Sequence, residues 1–232
     1  MSNNRKNCPG CGRINSVRIL SQNNKTVEHC FGVDCNYYKA DKKEFEIGSI
    51  ATPTKKVLDI NNLMEARSHP DSLAFLHKYH CGEVSNKIYY YPKGNRIVFN
   101  YKDLYVGRAL DKTVQPKWYV YTDSEHPFIA RRYTTTHTKS VILVEDCVSA
   151  CNASRLIDSI ALLGTTVKDS YLADILKYDT IYVALDEDAT TKALKIQRVL
   201  SLVKDCIVVP LKKDIKYMGL DELEELLNLH GS

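Results

Sequence analysis

Residues 141–192 read VILVEDCVSACNASRLIDSIALLGTTVKDSYLADILKYDTIYVALDEDATTK. Three short runs in it, VILVE, SIALL and TIYVALD, are almost continuously apolar, as strands buried on both faces are, and lack the alternation of a half-exposed sheet. Between them the spacing predicts helices over 147–158 and 169–178, and beyond them a longer helix over 189–204, a strand CIVVPL and a last helix from near Asp221. Strand and helix in alternation predict a parallel α/β sheet covered on both faces. Asp221 and Glu224, three apart, read as a capping box for the last helix.

The acids of this stretch fall at strand ends. Glu145 and Asp146 close the first strand, and Asp186, Glu187 and Asp188 close the third. Open parallel sheets bind ligands at their carboxyl edge. Asp186 and Asp188, two apart in an extended turn, can face one ion while Glu145 approaches from the neighbouring strand. Carboxylates so crowded repel one another unless a cation neutralises them, and hard oxygen ligands select Mg²⁺ or Mn²⁺. Asp146 and Glu187, taken singly, read as helix N-caps.

Upstream, KIYYY, RIVFNY, LYVGRAL and PKWYVY, separated by turns such as Gly94-Asn95, predict an antiparallel meander. Two short helices should precede it, the first from about Leu63 to His69, broken by Pro70, the second through Leu73, Phe75 and Leu76. Arg96, Arg108, Lys117, Arg131 and Arg132 interleave with Tyr101, Tyr105, Trp118, Tyr119 and Tyr121. Cations among aromatics on a sheet suit a surface that tracks phosphates and stacks bases; a solvated face over an aromatic core fits the same composition.

At the front, Cys8 and Cys11 form C-P-G-C, and Cys30 and Cys35 form C-F-G-V-D-C. Two such knuckles around a hairpin, SVRIL and KTVEHC, are what a tetrahedral zinc ion needs. His29 is an alternative to Cys30 as the third ligand. GSIATPTKKV at 48–57 reads as a linker. The remaining candidates are weaker: His77, His80 and Cys81 lack a fourth partner for a metal, and Cys147 and Cys151, one helical turn apart, read as small buried apolar groups.

The chain of 232 residues is 44% apolar and 26% charged, which excludes a disordered segment and a peptide-sized scaffold. No run of residues has the length and apolarity of a membrane span and the start has no signal-peptide core, so a soluble cytoplasmic protein is expected, in the host cytoplasm if viral. A net charge of +4 conceals a basic front and an acidic back. Residues 1–140 carry 22 Lys and Arg against 13 Asp and Glu, whereas residues 141–232 carry 10 against 15. A polyanion held by the front is the expected consequence.

VEDCVSA, ALLGTTV and DEDATTK resemble, in order, the glutamate, glycine-turn and D-x-D motifs of the TOPRIM domain, shared by bacterial-type primases, topoisomerases, some nucleases and RecR-type repair proteins. NRIVFN, GRAL and PKWYVY are similar to the basic subdomain that precedes TOPRIM in bacterial and bacteriophage primases, and the front cysteines complete the primase order. The resemblance implies a zinc ribbon at 1–47, a linker at 48–57, a basic subdomain of an RNA polymerase domain at 58–140 and TOPRIM at 141–232. By it, Glu145, Asp186 and Asp188 would be catalytic and would hold Mg²⁺ or Mn²⁺ with Asp214. Arg96, Arg108, Lys117 and Trp118 would bind nucleic acid or nucleotide, and Cys8, Cys11, Cys30 and Cys35 would hold structural zinc.

The implied activity is RNA primer synthesis from NTPs on a single-stranded DNA template, with a replicative helicase and a DNA polymerase as partners. The chain departs from the pattern at Asp146, Ser149, Thr191 and Lys216, the last standing where the family has a second late acid. Rival readings are a non-enzymatic RecR-like repair mediator and a TOPRIM nuclease. Glu145 as a general base is the alternative to Glu145 as a ligand.

Overall fold

The computed structural model describes residues 5–22, 25–30, 35, 37–40, 57–122, 124–132 and 138–228. All of the expected linker except Val57 lies outside them. The chain divides into two compact units, Met1–Thr54 and Lys55–Ser232. No helix among the described residues is long and apolar enough to cross a membrane.

In the first unit, β1 (Arg5–Lys6), β2 (Val17–Gln22), β3 (Lys25–Cys30) and β4 (Tyr38–Ala40) form an antiparallel sheet in chain order. The expected hairpin forms between β2 and β3, with Val17 opposite Cys30 and Gln22 opposite Lys25.

The second unit holds two sheets. β5 (Met64–Glu65), β6 (Lys87–Tyr91), β7 (Arg96–Tyr101), β8 (Leu104–Ala109) and β9 (Trp118–Val120) make the meander, every neighbouring pair antiparallel. The helix expected from Leu63 to His69 is absent. Met64 and Glu65 instead pair with Tyr90 and Tyr89 as an edge strand, and Ala66–Ser68 makes a single 3-10 turn. Pro70 accounts for this, because it favours the first turn of a helix over its interior; α1 (Pro70–Lys78) begins on it.

The mixed sheet contains β10 (Phe128–Ala130), β11 (Ser140–Val144), β12 (Asp158–Ala161), β13 (Thr180–Val183) and β14 (Asp205–Val208), in the order β10-β12-β11-β13-β14. Pairings among β11 to β14 are parallel, whereas β10 adds antiparallel to β12. Three residues, Phe128, Ile129 and Ala130, are too few to signal a strand by periodicity, so the sheet draws on sequence ahead of residue 141.

The intervening helices are α2 (Cys147–Ala153), α3 (Leu172–Ile175), α4 (Thr190–Leu200) and α5 (Leu220–Asn228). The first three are shorter than the apolar spacing predicts. Asp158, expected to end the first of them, instead begins β12, and a 3-10 turn, Asp169–Tyr171, takes part of the second. The capping of α5 also differs: Glu222 accepts the Gly219 backbone N–H at 2.7 Å and a hydrogen bond from Lys213, so the capping acid is Glu222 and the Asp221–Glu224 box is not formed.

Continuous apolarity in β11 has a simple origin. Val141 and Leu143 pack into a core with Ile160, Ile181, Tyr171, Ile175 and Leu200, while Ile142 and Val144 enter another with Ile97, Phe99, Val106 and Val148. The second core joins the meander to the mixed sheet and so brings the basic strands β8 and β9 beside the acidic strand ends.

Candidate functional site

Two sites emerge, one in each unit. In the first, the sulfurs of Cys8, Cys11, Cys30 and Cys35 all lie within 4.8 Å of one another. Cys8 and Cys35 approach to 3.6 Å, Cys11 and Cys30 to 3.8 Å. The Gly10 N–H donates to Cys8 Sγ at 3.3 Å, and a Cβ at Gly10 would stand 3.2 Å from Tyr37 Cβ, so the knuckle closes tightly only on glycine. A backbone hydrogen bond from Tyr37 favours the Cys35 thiolate, but desolvation and the three neighbouring thiols push the Cys35 thiol up to about 12. A thiol in that position resists ionisation until a dication joins the group. The four are close enough to bind a metal, and an all-sulfur donor set of this size suits tetrahedral Zn²⁺. Cys30, 2% exposed, is the member that β3 contributes.

The second site lies at the carboxyl ends of β11 and β13. Glu145 follows β11 and accepts the Asp186 backbone N–H at 3.1 Å, which ties together the ends of the two strands. Burial raises the Glu145 carboxyl above its usual range, and the charges of Asp188 and Asp146 add to this against the relief from the Asp186 N–H. Burial, a side-chain hydrogen bond with Asp214 and the charges of Glu145 and Asp214 push Asp186 up to about 6. Burial works in the same sense on Asp214, but hydrogen bonds from Lys216 and Asp186 hold it below the ordinary carboxylate range. Asp188 is exposed at the rim. Among the described residues the four cysteines alone meet the 4.8 Å spacing, so no three of these carboxylates are drawn as close together as the thiols.

Asp146 caps α2: its Oδ1 accepts the N–H groups of Val148 and Ser149, both at 2.9 Å. The other oxygen, Oδ2, lies 4.0 Å from Lys216 Nζ, which also pairs with Asp214. The single-residue expectation for Asp146 is met on one oxygen while the other joins the acidic cluster.

The basic residues divide by role. Arg108 on β8 stands opposite Trp118 on β9, its guanidinium 5.0 Å from the centre of the indole. Desolvation lowers its pKa, against the attraction of Asp146, Tyr79 and Tyr217. Its Nε is buried without a hydrogen-bond partner. Arg108 and Lys117 line a groove of about 900 Å³ with Lys78, Tyr79, Lys112 and Tyr217, and the Lys117 charge reaches Asp214. The groove and the carboxylates are therefore electrostatic neighbours.

Arg96 is different. It is 4% exposed and donates to the Pro116 carbonyl at 2.6 Å and to the Lys117 carbonyl at 3.4 Å. The geometry turns it inward to hold the loop that carries Lys117. Gly107 explains its place: a Cβ there would come within 2.7 Å of the Tyr121 ring and 3.1 Å of Arg96 Cδ, so the glycine before Arg108 leaves room for both side chains. Arg131 is likewise engaged, with Asp158 at 2.9 Å and Tyr178 at 3.0 Å, and Arg132 lies 3.9 Å from Glu83. Lys78, Tyr79 and Tyr217 carry no sequence signal for the groove, because only the packing of α1 and of the turn after Asp214 brings them to it.

No protein-family model matches the chain, and no curated protein matches it.

Proposed function

We propose that the chain is a primase of the bacterial and bacteriophage type, a zinc ribbon followed by a basic subdomain and a TOPRIM domain, which makes short RNA primers from NTPs on single-stranded DNA. One observation carries the reading: carboxylates at the carboxyl ends of two adjacent parallel strands of the mixed sheet adjoin a basic, aromatic groove through Arg108 and Lys117. Phosphoryl transfer needs that juxtaposition, since catalysis there is largely positioning and neutralisation of charge.

The donor set fits Mg²⁺ or Mn²⁺, being oxygen only, and a hard cation beside Asp186 would relieve the repulsion that Asp214 and Glu145 exert on it. Glu145 and Asp186 would hold the ion, with Asp188 at the rim and Asp214 bridging from Asp186 to Lys216. Bound there, the ion would lower the pKa of a 3′ hydroxyl and stabilise the departing pyrophosphate. The protein's own groups do the rest. Arg108, desolvated and without a partner at Nε, takes a phosphate oxygen; Lys117 adds a second positive charge at the same edge; Trp118 backs the guanidinium and fixes its plane. Arg96 keeps the Lys117 loop in place. The four-cysteine unit, with zinc, would engage the template, and a replicative helicase and a DNA polymerase are the partners this role entails.

Incubation of the purified chain with NTPs, single-stranded DNA and Mg²⁺ tests the reading. Short RNA products are expected, and their loss in Asp186→Asn. DNA cleavage would instead favour a nuclease and binding without turnover a RecR-like mediator; an Asp186→Asn variant with full activity would refute the site.

A further inference from the structure

Lys216 is the one basic side chain that forms ion pairs with the carboxylate cluster among the described residues, and the fold holds it in place. Its side chain is 11% exposed, pairs with Asp214 and lies 4.0 Å from Asp146. Asp214, Asp146 and Asp186 together raise its pKa against desolvation. The 3-10 turn that carries it, Ile215–Tyr217, is bolted to α2, because fully buried Asn152 donates one hydrogen bond to the Ile215 carbonyl at 2.7 Å and another to the Met218 carbonyl at 2.9 Å. Helix α2 also starts on Asp146. The ammonium and one of its two carboxylate partners are thus set by the same helix. A surface lysine would wander over several rotamers; this one is confined by its anchored turn, by burial and by the ring of Tyr217, 5.3 Å away.

Five carboxylates meet at these strand ends: Glu145, Asp146, Asp186, Asp188 and Asp214. The half formed by Asp146 and Asp214 already has its cation in Lys216. Among the described residues Glu145, Asp186 and Asp188 make no ion pair, although the charge of Lys192 reaches Glu145 and that of Lys216 reaches Asp186; burial raises the Glu145 and Asp186 carboxyls, and the neighbouring acids add to it.

We infer that Lys216 is a tethered cation that takes the place of a second metal ion and limits the cluster to a single divalent ion, held on the Glu145 and Asp186 side. The inference rests on the reading of the cluster as a metal-dependent site and goes beyond it in fixing the stoichiometry and assigning it to one side chain. Lys216 is here a positioning and neutralising residue with no part in proton transfer.

Counting Mn²⁺ tests this, with the zinc-loaded full chain titrated and followed by the electron paramagnetic resonance of free Mn²⁺ and by calorimetry. Wild-type protein should bind one Mn²⁺ per chain, and Asp186→Asn should abolish it. Lys216→Met, close in length and without charge, should bind a second Mn²⁺ or bind the first roughly tenfold or more tightly, since a unit charge at such distances shifts ionic equilibria by about one to three powers of ten. Lys216→Arg should keep one. Two Mn²⁺ on the wild type, none, or an unchanged count and affinity in Lys216→Met would each overturn the inference. Lys216→Gln serves if the methionine variant does not fold. Primer synthesis separates this from the parent reading: two ions with primers made would sink only the inference, and one ion with no primers on any template would sink only the primase.

Discussion

Replacement of Arg96 by methionine separates a structural arginine from a ligand-binding one. In the folded chain its guanidinium donates to Pro116 O at 2.6 Å, while the contact with Lys117 O at 3.4 Å is at the limit of a useful hydrogen bond. The loss therefore amounts to about one charged hydrogen bond, ~1.5–3 kcal/mol, made by a buried guanidinium to the carbonyl of an exposed residue. Methionine keeps most of the aliphatic stem that packs near Gly107, so cavity formation adds little. In a unit spanning Lys55–Ser232 a loss of ~2 kcal/mol corresponds to a fall in Tm of about 4–8 °C. Thermal and urea unfolding followed by far-ultraviolet circular dichroism measure it. Arg96→Lys should fall nearly as far, since one ammonium cannot reproduce the guanidinium fork. A variant of undiminished stability that loses nucleotide or DNA binding would place Arg96 on the ligand surface and refute the argument.

Chelation should release about one zinc per chain and unfold the cysteine unit while the signal of the second unit persists, because the binding energy of such a site is folding energy; a chain metal-free and fully folded as isolated would contradict the four-thiolate site. Asp174, 6% exposed in its side chain, pairs with Lys177 and with His126 at 3.1 Å, and these hydrogen bonds hold its carboxyl below its usual range against burial. Its folded pKa lies below the unfolded one, so the stabilisation is complete above the unfolded value near ~4 and drains away as pH falls through the folded value; acid titration of stability should be shallower in Asp174→Asn, and equal slopes would exclude the pair as a contributor. Gly107→Ala places a methyl 2.7 Å from the Tyr121 ring and should cost ~1–3 kcal/mol by overpacking, read by urea unfolding, with no loss if the ring can swing away.

What the sequence makes legible here follows the range of the forces involved. The meander from Lys87 to Val120 can be read because alternation and turn residues are local, and Asn95 at φ 44° and Lys102 at φ 52° turn the chain where PKGN and KD interrupt it. Strands β11, β12 and β13 can be read because each buries both faces, and the four cysteines because a metal demands fixed spacing. Helix ends are not legible: α2 stops early because the chain must turn back into β12, and α5 is capped by Glu222 in place of the better-spaced Asp221 and Glu224.

At the candidate site the limit lies elsewhere. Residue type marks Glu145, Asp186 and Asp188, but the decisive neighbours of these acids, Asp214 and Lys216, come from a turn whose position depends on Asn152 reaching two carbonyls more than 60 residues away. The same holds for the basic residues, where Arg96 and Arg108 are alike in type and both sit on strands of one sheet. Their register sends one inward to carbonyls and the other toward the groove, and composition carries no trace of the difference. Charge type is thus a property of the sequence, whereas charge pairing is a property of the fold, and an active-site argument from sequence is strongest for groups that must repel unless a cation is supplied and weakest for groups that the protein itself can pair.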